Sequence, residues 1–95
     1  MHITILGKRW RFEWFRRPKN GPVWGWCDPP DKPGKTIRVA TNQPDKEVLD
    51  TIIHEVMHAA DWHRSEEWVG QFGTDLANAL WRLGYRRDAN HDRSK

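Results

Sequence analysis

Residues Asp45 to Asp61 are the stretch that most constrains this chain. No proline or glycine interrupts it, and Leu49, Ile52, Ile53, Val56, Met57 and Ala60 supply the apolar positions of a largely buried helix. Inside it stands His54-Glu55-Val56-Met57-His58. On a helix, residues i and i+4 share a face with their Cβ atoms about 5–6 Å apart. Two imidazoles so placed can share one metal ion, and a carboxylate directly after the first can reach a water on that ion. Buried imidazoles and a buried glutamate need partners, which a metal would supply. The competing reading is a helix with two surface histidines and a salt-bridged glutamate; the apolar flanks weigh against it.

Two histidines are half a site, because a catalytic zinc ordinarily takes three protein ligands and a water. Glu66 is the first candidate for the third place. At about 100° per residue it falls on the apolar face of the next helix, within a turn of Val69 and Gly73, whereas Glu67 points about 100° further round. As a first-turn acid, Glu66 could equally serve only the helix dipole. Asp61 lies one turn beyond His58 on the same face, as a ligand or as a hydrogen-bond partner holding a ligand histidine. Glu67, His63, Asp75 and Cys27 also stay open. Zn2+ is the expected cofactor, since two imidazoles and a carboxylate suit it.

The remaining residues predict an α+β fold in a single domain, 1–95. His2 to Leu6 reads as a short strand. Lys8 to Phe15 reads as another, with Trp10, Phe12 and Trp14 alternating with Arg9, Arg11 and Glu13. Gly7 allows a bend or bulge between them. Arg16 to Pro22 is a turn, Val23 to Cys27 a strand, Asp28 to Gly34 a proline-stiffened loop, and Lys35 to Ala40 a strand. Thr41 to Lys46 opens the first helix, with Thr41 or Asn42 as cap and Pro44 in the first turn. That helix runs to about Trp62. His63-Arg64-Ser65 leads into a second, capped by Ser65 and ended by Gly84, in which Val69, Phe72, Gly73, Leu76, Ala77, Leu80 and Leu83 share one face. Residues 85–95 form a polar tail expected to fray. The sum is a small antiparallel sheet of about three strands (1–40) packed on a two-helix hairpin (41–84).

A domain this short has a small core, which its seven tryptophans offset where they are buried. Nothing resembles a transmembrane run of about 20 apolar residues, and Ile3-Thr4-Ile5-Leu6 is too short for a signal-peptide core. The expected location is cytoplasmic, with no membrane partner. Cys27 is the single cysteine, which excludes an internal disulfide; its expected place is a half-buried strand position. The formal charge of +3 is a mild bias toward acidic partners.

His54-Glu55-Val56-Met57-His58 resembles the HExxH helix of zincin metallopeptidases. Ser65-Glu66-Glu67-Trp68-Val69-Gly70-Gln71-Phe72-Gly73-Thr74 is similar to the glutamate helix of gluzincins, the thermolysin-like group, where Phe-Gly-Thr follows the ligand glutamate by six to eight residues. The resemblance extends to small phage- and bacterium-type proteins with a strand-rich start, an HExxHAxD helix and a Ser-Glu-Glu-x-Val helix. It covers about Asp45 to Leu83. Two departures stand out: Gly70 occupies the place of a supporting aspartate, and the spacing from HExxH to Glu66 is much shorter than in the large enzymes.

The resemblance implies a zinc-dependent peptidase. His54, His58 and Glu66 would hold the metal, and Glu55 would act as general base on a peptide or protein substrate. Tyr85, Arg86 and His63 are the candidates for a transition-state donor, and a strand edge at Thr36 to Ala40 for pairing with substrate. A second reading is a zinc-stabilised, non-catalytic protein-binding module with Trp24, Trp26, Trp62 and Trp68 either on its surface or in its core. A third is weak nucleic-acid binding through Lys8-Arg9-Trp10-Arg11-Phe12 and the Arg16-Arg17-Lys19 turn; ordinary inward aromatics explain that stripe more simply, and nucleic acid is not the expected partner.

Overall fold

A computed structural model describes residues 1–87. The α+β class is as expected: a four-stranded sheet and two helices, in the order β1 (His2–Ile5), β2 (Lys8–Phe15), β3 (Gly25–Cys27), β4 (Thr36–Ala40), α1 (Asp45–Ala60) and α2 (Glu66–Arg82). Among the described residues no helix is long and apolar enough to cross a membrane.

The sheet differs from expectation in strand number and direction. Its spatial order is β1-β2-β4-β3, with β1–β2 and β4–β3 antiparallel but β2–β4 parallel. Composition explains the swap. In β4, Thr36, Ile37, Val39 and Ala40 are all buried, as a central strand requires. β3 has three residues between Pro22 and Pro29-Pro30, so it is confined to an edge. Leu6 and Gly7 make no bulge. Both are left-handed, with φ of 49° and 77°, and they pair Ile5 with Lys8 across a tight type I′ hairpin.

The inward residues of the sheet, Trp10, Phe12, Cys27, Ile37 and Val39, pack with Val48 and Ala59 of α1. Among the described elements, α1 touches β1, β3 and β4 on one side and α2 on the other, whereas α2 touches only α1. The middle layer must be apolar on two faces, which accounts for the long apolar run of Asp45 to Asp61. Gly73 brings α2 close, with its would-be Cβ 3.8 Å from the His54 Cα. Of the seven tryptophans only Trp10 is buried; Trp24, Trp26, Trp62 and Trp68 are exposed, so they add no core.

Helix ends divide the expectations. Ser65 Oγ accepts from the Trp68 N–H, as a cap should. Neither Thr41 nor Asn42 caps α1; Pro44 holds that position without a side-chain bond. Asn42 instead bonds the Arg17 backbone in both directions, at 2.8 and 2.9 Å, and ties the β2–β3 loop to the start of α1. The first tail residues lie against tryptophan rings. Arg86 lies 3.5 Å over the Trp81 ring and Arg87 4.0 Å over Trp14. The expectation for 88–95 lies outside the described residues.

Asp28 fixes the edge strand. Its buried carboxylate accepts from Trp26 Nε1 at 2.8 Å and from the Thr36 N–H at 2.9 Å, and it pairs with Lys32. Burial alone would raise its proton affinity, but these bonds and the lysine outweigh that and hold the carboxyl below its usual range. Its contribution is therefore present above the unfolded pKa near 4 and lost as pH falls through the folded value. Asp28→Asn is expected to lower unfolding free energy by about 2 kcal/mol at pH 7, with the gap to wild type narrowing in acid. Urea melts at neutral pH and near pH 3 check this; an equal gap at both would overturn it.

Candidate metal centre

His54 and His58 project from α1 toward the start of α2, and Glu66 is the first residue of that helix. His54 Nε2 lies 2.7 Å from Glu66 Oε1, and His58 Nε2 lies 2.9 Å from Glu66 Oε2. The two Nε2 atoms are 3.1 Å apart. The short connection between helices brings Glu66 near the turn, and Gly73 lets α2 lie close enough for its carboxylate to reach both rings.

With Glu66 ionised, no placement of protons satisfies all three contacts. If each Nε2 carries hydrogen for the carboxylate, the two donors face one another at 3.1 Å. If one Nε2 gives up its hydrogen to accept from the other, its lone pair faces a carboxylate oxygen. A cation at the centre removes the conflict, because it takes a lone pair from each group. Tetrahedral zinc, with bonds of about 2.0–2.1 Å, separates neighbouring ligand atoms by about 3.3 Å, so the two Nε2 atoms need to open by roughly 0.2 Å and each Glu66 oxygen lies within roughly 0.6 Å of that spacing from its nearer ring. The donor set fits zinc, with one position left for water.

The other candidates lie elsewhere. Asp61 ends α1, and its carboxylate accepts from Arg64 Nε at 3.1 Å. Asp75 accepts from Gln71 on the outer side of α2. Among the described residues, His54, His58 and Glu66 are the metal-ligating side chains whose donor atoms converge; Glu67, His63 and Cys27 do not join them. Cys27 is buried on β3 rather than half-buried as expected. Burial first, then Glu55 and Asp28, push its thiol up to about 12, and its Sγ–H points to the Asp28 carbonyl at 3.4 Å. A thiol so held stays protonated and is a poor ligand.

Glu55 lies against Gly25 of β3. It is 9% exposed, and a Cβ built on Gly25 would stand 2.7 Å from its Oε2. Only glycine leaves room there. Burial raises the Glu55 carboxyl to about 7; His54 pulls it down and Glu66 pushes it up.

Glu55, the two histidines and Glu66 line one cleft of about 790 Å³ between β3 and the helix pair. The rim carries Trp24, Trp26, Trp62 and Arg64. Tyr85 and Arg86 sit with Trp81 and Leu49 at another groove, away from this cleft, and His63 is not part of its lining. Arg64 was not singled out from sequence; it stands in the connection between the helices, and its guanidinium is held by Asp61 and by the Trp68 ring at 4.4 Å. The expected substrate edge at Thr36 to Ala40 is also displaced. β4 is paired on both sides, and the open edge beside the cleft is β3. Comparison with protein-family profiles, curated proteins and solved structures gives no match.

Proposed function

We propose that the protein is a zinc-dependent peptidase in which His54, His58 and Glu66 hold the metal. The observation that carries this reading is the convergence of those three side chains within 3.1 Å of one another, beside a buried Glu55 in the same cleft. When bound, zinc would polarise a peptide carbonyl and bring the pKa of a water toward about 7. The Glu55 carboxylate takes a proton from the attacking water and returns it to the leaving amine. The open edge of β3 pairs with an extended peptide, and Trp24, Trp26 and Trp62 offer apolar contact to its side chains. Arg64 on the rim supplies positive charge near the developing oxyanion.

The exposed tryptophans also favour the second reading, a zinc-stabilised module that binds protein without cutting it. One experiment separates the two. Purified protein is expected to carry about one zinc per chain and to cleave unfolded casein, with both lost on chelation and regained with added zinc. Zinc-loaded protein that leaves casein intact would favour the binding module. Protein that takes up no zinc would overturn both.

A further inference from the structure

Among the described residues no helix covers the face of the sheet turned away from α1, and the chemistry of that face is divided. At one end, His2, Arg9, Arg11 and Lys35 line a hollow of about 360 Å³ with Gly34 and no acidic residue. Among the described residues, none of Arg9, Arg11 and Lys35 is paired with a carboxylate. Register explains the crowding. His2 stands opposite Arg11, and Thr4 opposite Arg9, on adjacent antiparallel strands. Arg9 Nη2 donates to His2 Nδ1 at 3.2 Å, leaving that ring uncharged. Desolvation first, then Arg9, the N-terminus and Arg11, lower the proton affinity of His2. Like charges are gathered here without a counter-charge.

Further along the same face the pattern changes. Glu13 and Arg38 neutralise each other at 3.1 Å. That pair and Arg17 border a hollow of about 380 Å³ whose apolar part is made by Phe15, Pro18, Pro22, Val23 and Trp26. Trp26 is 52% exposed, and its ring is fixed by the bond from Nε1 to Asp28. An exposed indole held rigid by its own N–H is a stacking platform rather than a core residue. From Arg11 to Phe15 along β2 is about 13 Å, so basic and aromatic ends lie within the reach of a short segment of one ligand.

We infer that this open face binds single-stranded nucleic acid, with backbone phosphates at Arg9, Arg11 and Lys35 and a base against Trp26 and Phe15. The inference does not rest on the metal ligands, although Trp26, on the edge strand, also borders their cleft. It also differs from the sequence-based idea of a basic aromatic stripe, because Trp10 and Phe12 of that stripe are buried and their ring faces are closed to a base. A ligand that is both polyanionic and built of flat rings fits the two ends together; an inorganic phosphate would use one of them, and a duplex would offer no base to the other.

The test is fluorescence anisotropy of a labelled oligothymidylate of about a dozen nucleotides against the full chain across a salt series. Three phosphate contacts give a log–log slope of about −2 for a single strand. Arg9→Ala with Arg11→Ala is expected to flatten the slope to about −0.7 and weaken binding at least tenfold at low salt. Both arginines are exposed, so an unchanged thermal melt controls for folding. Trp26→Ala is expected to weaken binding about tenfold with the slope unchanged, and Trp26→Phe to recover most of the loss. No binding at low salt overturns the inference. So does a slope that survives loss of both arginines, a duplex that binds as tightly as the single strand, or a preference for phosphatidylserine vesicles.

Discussion

Glu55→Gln is expected to lower the rate of casein cleavage by about 10²–10⁴-fold while the zinc content stays at that of wild type. Glutamine keeps the size of the side chain and its place against Gly25, but it cannot accept a proton. The residue is not among the converging donors, so zinc should remain. A second readout belongs to the metal-free protein. There the folded carboxyl is raised from 4.5 to about 7, which means that folding favours the protonated form. Stability from this group is full below the unfolded value and declines as pH rises toward 7. At about 1.4 kcal/mol per pH unit, the penalty above pH 7 has a ceiling near 3 kcal/mol. Glu55→Gln should therefore make the metal-free protein more stable by about 1–3 kcal/mol at pH 8 and change it little at pH 4. Lost cleavage with gained stability marks a buried base held in place for a reaction. Unchanged cleavage would remove Glu55 from the chemistry, and a less stable variant at pH 8 would mean the amide cannot be buried where the acid sits.

Local pattern was legible in this chain; the relation between distant segments was not. The extent of both helices, the Ser65 cap and the inward alternation of Trp10 and Phe12 follow from neighbours in sequence; the start of α1 falls two to three residues later than expected and the other limits within about two. The parallel pairing of β2 with β4 depends on which strand can bear burial on both sides. The residues for that judgement were visible in Ile37 and Val39 against the prolines around β3, but connection order alone suggests a simple antiparallel arrangement. Tryptophan is a poor guide to burial in so small a domain. There is one interior position large enough, Trp10, and the others lie partly in solvent. Leu6 shows the same limit at a turn: nothing in a leucine announces a left-handed residue, and the tight hairpin imposes it.

At the site, helix geometry places what lies on a helix. The turn-by-turn angle puts Glu66 rather than Glu67 on the side of α2 that faces α1, and the structure has it there, within 2.9 Å of both imidazoles. Asp61 satisfies the same arithmetic on α1, yet the helix ends at Ala60 and the aspartate turns to Arg64. Angle arguments fail at a helix terminus because the next residue no longer follows the helical backbone. Gly25 and Arg64 have no sequence signal of their own. One is needed because β3 runs against Glu55, the other because the connection folds over the cleft mouth, and both facts belong to tertiary structure.

The ligand series tests the centre itself. His58→Ala is expected to abolish zinc retention through dialysis, since a lone imidazole and an exposed carboxylate leave the ion largely to water. Glu66→Ala should keep measurable uptake, because His54 and His58 remain paired on one rigid helix. Its affinity should nevertheless fall by more than the 10–100-fold typical of losing an outer-shell partner. Asp61→Ala should stay within a few-fold of wild type, as its carboxylate is engaged with Arg64. The same order should appear in thermal melts. At free zinc about a thousandfold above Kd, binding adds about 4 kcal/mol to the folded state. For a domain of this size that corresponds to a rise in Tm of about 15 °C or more. Wild type and Asp61→Ala should gain that increment, Glu66→Ala a smaller one, and His58→Ala almost none. The three outcomes are informative separately. Glu66→Ala behaving as wild type would leave a two-histidine site and transfer the third place to water. Asp61→Ala losing zinc would mean that the end of α1 reorganises around the ion. Equal melts in all four proteins, with and without zinc, would reduce the convergence of His54, His58 and Glu66 to a hydrogen-bonded cluster and remove the peptidase reading with it.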